Sequence, residues 1–214
     1  MKAAVIFYHK NASDIYKYAW VKACVDSIRN QTMEDFDVFE LNYGGGDENY
    51  CSGVRGKYVF LNRPFKTHIG AMNYLYSMLF ANGYDVVFNT NMDDYYHPSR
   101  FDVQMNAIKS GYDLVSSNFC YVNNKGEVLK HFVFHDADIS KELARDRNVI
   151  AHPAVCMSSR FWSDESLRFE ETLGREDLDL WKKAVVAGKK LLILPNNHLY
   201  YRLHENQITK KHKA

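Results

Sequence analysis

The chain has 214 residues and a formal net charge of +1, so nothing in its charge calls for nucleic acid or an anionic surface as a partner. Its 46% hydrophobic and 25% charged content is that of a soluble globular protein, and its length suits one domain with a sizeable core. No run approaches ~18 uninterrupted apolar residues, which excludes a spanning helix. The four cysteines lie far apart without a C-x-x-C pair, which argues against a cysteine zinc site.

In chain order, Ala3 to Tyr8 is an apolar run fit for a central parallel strand. Ile15 to Arg29 reads as a helix. Val38 to Leu41 is a second strand, ending in the loop Asn42-Tyr43-Gly44-Gly45-Gly46-Asp47, and Tyr58 to Leu61 is a third. Thr67 to Phe80 carries Ile69, Met72, Leu75 and Leu79 at helical spacing and stops at Asn82-Gly83. Asp85 to Phe88 is the fourth strand. Pro98 reads as the first residue of the next helix, with Phe101, Met105 and Ile108 on its core face. Asp113 to Ser117 is another strand. Phe119 to Val122 and Val128 to Phe134 then form a hairpin around Asn123-Asn124-Lys125-Gly126. A short helix over Ser140 to Asp146, a strand over Ala154 to Ser158 and a helix over Glu176 to Ala187 follow. Strands over Leu191 to Leu194 and Leu199 to Tyr201 close the chain. The first half alternates strand and helix, which implies a parallel sheet, and the second half mixes hairpin strands with helices. The expected fold class is α/β, one domain over 1–214, with a nucleotide-binding half at 1–117 and an acceptor-binding half at 118–214.

The most informative segment is Val86-Val87-Phe88-Asn89-Thr90-Asn91-Met92-Asp93-Asp94, a buried strand running into adjacent carboxylates. Ligands of open α/β sheets bind beyond the carboxyl ends of strands. Carboxylates there suit a hard divalent cation such as Mn²⁺ or Mg²⁺. The bland alternative is a solvated turn followed by a helix cap.

Several segments, in order, resemble family 2 glycosyltransferases of the GT-A fold. Ser27-Ile28-Arg29-Asn30-Gln31-Thr32 resembles the family's S-I-L-N-Q-T, and the Asn42 to Asp47 loop stands where the family has D-D-G-S-x-D. His68-Ile69-Gly70-Ala71-Met72-Asn73 resembles its small-residue run ending in Asn. Asn91-Met92-Asp93-Asp94 followed by Pro98 occupies the D-x-D-D…P position. Gly174-Arg175-Glu176-Asp177-Leu178-Asp179-Leu180-Trp181 resembles G-x-E-D-x-D-L-W, and Tyr201-Arg202-Leu203-His204 resembles the closing Y-R-x-H. There are two departures. Asn91 replaces the first acid of the D-x-D-D segment, and Asn42 and Tyr43 replace the acidic pair of the loop.

The resemblance implies a single-domain GT-A enzyme with a Rossmann-like, mostly parallel sheet. It would move a hexose from a nucleotide sugar, a UDP-sugar first, to a glycan hydroxyl with inversion. Such transfer needs a cation at the departing diphosphate and a carboxylate to take the acceptor's proton. Asp177, at a helix start where the dipole favours its charged form, is the expected base, with Glu176 supporting it. Asp179 lies roughly 200° round the helix from Asp177 and is read as structural. Asn42, Lys66, Thr67, Asn91, Met92, Asp93 and Arg202 are the expected donor contacts. Asp93, Asp94 and His204 are the expected metal ligands.

Trp162 and Trp181 are read as core, Cys24 and Cys156 as buried free thiols, and His152-Pro153 as lining the acceptor cleft. The expected setting is soluble and cytoplasmic, with peripheral membrane contact open to the basic tail Lys210-Lys211-His212-Lys213. Two other functions stay open. One is a non-catalytic nucleotide-sugar or glycan-binding module, favoured by Asn42 and Asn91. The other is a phosphohydrolase built on His131, His135, Asp136 and Asp138.

Overall fold

Strands this apolar need cover on both faces, and the computed structural model, which describes residues 1–172, 174–205 and 207, supplies it from two sides. Among the described residues nine strands form one sheet: β1 (Ala3–His9), β2 (Asp37–Asn42), β3 (Tyr58–Asn62), β4 (Val86–Asn89), β5 (Tyr95–Tyr96), β6 (Leu114–Val122), β7 (Val128–Phe132), β8 (Cys156–Ser158) and β9 (Leu191–Arg202). The order is β3-β2-β1-β4-β8-β6-β9-β5, with β7 paired to β6. Strands β3, β2, β1 and β4 are parallel, β8 is antiparallel to both of its neighbours, and β6 and β9 run parallel.

Among the described residues six α-helices accompany the sheet: α1 (Tyr18–Arg29), α2 (His68–Ala81), α3 (Arg100–Lys109), α4 (Ile139–Ala144), α5 (Ser159–Trp162) and α6 (Glu176–Val186). One core packs α2, α4, α5 and α6 on a sheet face through Met72, Leu75, Tyr76, Leu143, Phe161 and Trp181. The other packs α1 and α3 through Val21, Ile28, Phe101 and Met105. Trp162 and Trp181 are both core residues, as expected, and all four cysteines are buried free thiols.

The structure moves several expected boundaries. Helix α1 starts at Tyr18, because the chain first makes a 3-10 turn over Ala12–Asp14. Pro98 precedes α3 rather than opening it. Its carbonyl accepts from Thr32 N at 2.9 Å, and the helix begins two residues later at Arg100. The two expected strands on either side of Asn118 are one strand, β6. Leu191 to Leu194 and Leu199 to Tyr201 are likewise one strand, β9, in which Pro195 and Asn196 bulge out. A strand tolerates proline at a bulge because no ladder N–H is needed there. Buried Asn118 holds the bulge: its Nδ2 donates to Pro195 O at 3.0 Å and Phe134 O at 3.2 Å, and its Oδ1 accepts from Phe134 N at 2.7 Å. No described helix is long and apolar enough to cross a membrane. The basic tail Lys210-Lys211-His212-Lys213, read as a solvated end with membrane contact left open, lies outside the described residues.

Candidate active site

A cleft of about 330 Å³ opens beyond the ends of β1 and β4, where the parallel half of the sheet meets the mixed half. Its floor includes Asn91, Met92 and Asp93. Around it stand Tyr8, Tyr43, His68, Asn148, His152, Glu176 and Asp177. His152 and Pro153 both line it.

The floor is built from distant parts of the chain. Asp93 is buried, and its Oδ2 faces His204 Nε2 at 2.8 Å. Tyr16 and Trp20 pack around that imidazole, with ring centroids at 5.8 and 4.9 Å. Asn91 is fixed by its backbone, which accepts from Cys24 Sγ at 3.1 Å and donates to Tyr96 Oη at 2.8 Å. Asp94 is turned away from the cleft. Its Oδ1 accepts the Arg202 backbone N–H at 2.8 Å, and its Oδ2 is buried with no hydrogen-bond partner. Burial, and then the neighbouring Asp93 charge, push its carboxyl well above the usual carboxylate range.

Arg202 also lies behind the floor rather than on it. Its guanidinium donates to the carbonyls of Asp93 (2.9 Å), Asn123 (3.0 Å) and Asn124 (3.2 Å). It ties the Asp93 turn to the β6–β7 hairpin, a task set by the planar fork of its donors. Asn42 is likewise a buried brace: it exchanges hydrogen bonds with Asn11 and accepts from Gly44 N at 2.9 Å. Thr67 caps α2 by accepting from Gly70 N at 3.2 Å, and donates to Glu171 at 2.7 Å. Lys66 is exposed and does not line the cleft.

The acidic wall starts at Gly174, whose left-handed φ of 69° turns the chain into α6. Glu176 and Asp177 both line the cleft there. Asp177 Oδ2 accepts from Asn148 Nδ2 and Oδ1 from Leu178 N, each at 2.7 Å. Burial outweighs these bonds and pushes its carboxyl up to about 6. Glu176 Oε1 meets His68 Nε2 at 3.1 Å. Burial would raise this carboxyl too, but the His68 and backbone hydrogen bonds prevail and hold it below its ordinary value. His152 sits against Phe169, and burial lowers its imidazole to about 4, so it is neutral near pH 7. Asp179 pairs with Arg175 at 3.6 Å, the structural part expected of it.

His68, Asn148, Tyr8 and Tyr16 also line the cleft, beyond the residues that the sequence singles out as candidates. His68 alone carried a signal, as the first residue of the α2 motif. The others reach the cleft from loops and a strand end with no pattern of their own.

Asp93 and His204 are brought together, but Asp94 does not join them. No three His, Cys, Asp or Glu among the described residues converge as a metal site. The rival group His131, His135, Asp136 and Asp138 is therefore no metal cluster either, and His131 Nδ1 instead meets Asn197 Nδ2 at 2.7 Å. A cation that arrives with a diphosphate needs only one or two protein carboxylates, because phosphates and water complete its shell. The Asp93 carboxylate on the floor, beside the imidazole of His204, fits that demand. It does not fit an all-protein cage.

No family model matches the chain. It is similar to the O-antigen biosynthesis glycosyltransferase WbnJ of Escherichia coli, 24% identical over 208 residues, covering 92% of this chain and 80% of that protein. Its fold is similar to S. aureus TarS 1-349 in complex with UDP-GlcNAc, at TM-score 0.70 and 18% identity over 98% of this chain. It is also similar to S. aureus TarS itself, at TM-score 0.67 and 16% identity over 95% of this chain. The chain spans 61% of the length of TarS 1-349 and 37% of TarS. The related glycosyltransferase sequence and the shared architecture support a GT-A-like glycosyltransferase.

Proposed function

We propose that the protein moves a hexose from a UDP-sugar to a hydroxyl of a glycan, inverting the anomeric carbon, with Asp177 as general base. In this reading the 1–117 half holds the donor and the 118–214 half the acceptor. The observation that carries it is a carboxylate raised to about 6 on the wall of the cleft whose floor is Asp93. A base of that basicity is ionised at neutral pH and still a competent proton acceptor.

The acceptor oxygen attacks the anomeric carbon as the bond to the diphosphate breaks. The acceptor proton passes to a carboxylate oxygen of Asp177, and UDP leaves with the bonding electrons. Asn148 fixes the Asp177 carboxyl, and the His68–Glu176 pair sets the charge beside it. Asn91 and Met92 on the floor are the donor-contact positions, and Lys10 adds a cation at the cleft edge. Asn42, Thr67 and Arg202 serve the donor indirectly, by holding the loops that shape its site. Mn²⁺ or Mg²⁺ bound with the donor would be held by Asp93, oriented by His204, and would neutralise charge on the diphosphate.

The reading is supported by UDP in TarS 1-349, by UDP-GlcNAc in the same protein, and by the O-antigen role of WbnJ. A thermal-shift panel of UDP-, GDP- and dTDP-sugars, with and without Mn²⁺, tests it. A UDP-sugar should raise the melting temperature most, and further with Mn²⁺. Equal shifts for all three nucleotides would overturn the donor assignment, and equal shifts with EDTA and Mn²⁺ would overturn the metal.

A further inference from the structure

Phe119, Tyr121 and Tyr201 line the cleft but have no part in the chemistry above. Phe119 and Tyr121 stand two apart on β6, so both point to the same face. Tyr121 lies opposite Tyr201 of β9 in the parallel register and opposite Lys130 of β7 in the antiparallel one. The Tyr121 and Tyr201 rings are 5.5 Å apart between centroids and tilted by 53°. Phe132 backs them: its centroid lies 4.5 Å from Tyr121 and 4.8 Å from Phe119. All four rings are half-buried, so each keeps some accessible surface.

The group is held still. The tip of the β6–β7 hairpin is fastened at three points: Trp20 Nε1 to Asn124 O at 3.1 Å, Tyr95 Oη to Gly126 O at 3.0 Å, and Arg202 to the carbonyls of Asn123 and Asn124. The Asn118-braced bulge puts Tyr201 level with Tyr121. Rigid aromatic surface beside polar groups, continuous with a cleft, is a preorganised binding surface.

We propose that Tyr121 and Tyr201, backed by Phe119 and Phe132, form the stacking platform for a pyranose ring of the acceptor. A pyranose presents a face of C–H groups, and the negative face of an aromatic ring attracts such polarised hydrogens. The platform shares its cleft with Asp177, so a sugar lying on it is bound in the same cleft as the proposed base. Asn148 and His152, on the same cleft, offer polar groups beside it. This inference rests on the glycosyltransferase reading, and it names the surface that receives the second substrate.

The test uses the whole chain loaded with UDP on a printed array of defined glycans, with UDP affinity measured in parallel by titration calorimetry. The wild type should bind a subset of pyranose-containing glycans. Tyr121→Ala should weaken that binding at least tenfold, while Tyr121→Phe keeps it and both variants bind UDP as the wild type does. Glycan binding unchanged in Tyr121→Ala, or no glycan bound by a wild type that binds UDP, would overturn the platform. Should Tyr121→Ala fail to fold, Tyr201→Leu read the same way replaces it. Failure of the wild type to bind UDP would instead strike at the donor reading beneath it.

Discussion

Two acidic pairs lie at this cleft, and they meet opposite fates. Asp93-Asp94 sits in the turn between β4 and β5, which sends the neighbours to opposite sides. Asp93 reaches the cleft, while Asp94 goes inward to accept the Arg202 N–H. Glu176-Asp177 opens α6, where successive side chains are only about 100° apart, and both reach the cleft. A helix start can therefore present two carboxylates to one ligand, and this turn presents one. The electrostatics follow the geometry. Glu176 is held below its ordinary value by His68, and Asp177 is raised by burial, so two adjacent acids have their affinities for protons driven apart.

The largest effect should come from Asp177→Asn, which keeps the shape and removes the proton acceptor. Transfer measured by UDP release should fall by ~10²–10⁴ with UDP-sugar affinity unchanged. Linkage gives a second readout. A carboxyl raised in the folded state opposes folding progressively as pH rises from about 4 through 6, so this variant should gain stability over the wild type across that window.

The Asp93-Asp94 contrast is next. Asp94→Ala should cost ~1–3 kcal/mol in urea unfolding, because the buried Arg202 N–H loses its acceptor. Asp93→Ala should instead remove the gain in UDP affinity that Mn²⁺ brings. If Asp94→Ala also removed that gain without loss of stability, the inward placement of Asp94 would be wrong. His68→Gln should move the Glu176 carboxyl back up and slow transfer by less than about tenfold, since Asp177 keeps its own partners. Lys66→Ala is the smallest. This side chain is exposed away from the cleft, and UDP affinity should stay within about twofold, the scatter of a screened surface charge.

Much of this was legible beforehand. The apolar runs of β1, β4 and the helical spacing of α2 place the cleft at the ends of parallel strands, and the segment order supplies Asp93, Asp177 and His204. What the sequence does not carry is orientation. Nothing in Asn91-Met92-Asp93-Asp94 says which acid faces in, because that depends on where the Arg202 backbone arrives from more than a hundred residues away. Arg202 itself looks like a phosphate binder until three backbone carbonyls claim its guanidinium. Asn42 and Thr67 look like donor contacts until their loop and helix ends prove to need them. Pro195-Asn196 reads as a loop, yet it is a bulge, and the register after it decides that Tyr201 stands beside Tyr121.

We propose Asp177 as the base, with a carboxyl that burial pushes up to about 6. The measurement that bears on it most directly is the pH profile of kcat/KM for sugar transfer from the UDP-sugar, wild type beside Asp177→Asn, from pH 4.5 to 8. Since the base must be ionised, the wild-type value should fall about tenfold per pH unit below a break near 6 and level off above it, while the variant should be low and flat through that break. A variant that keeps the same break and a near-wild-type plateau would contradict the account and move the proton-accepting role to another group on the cleft.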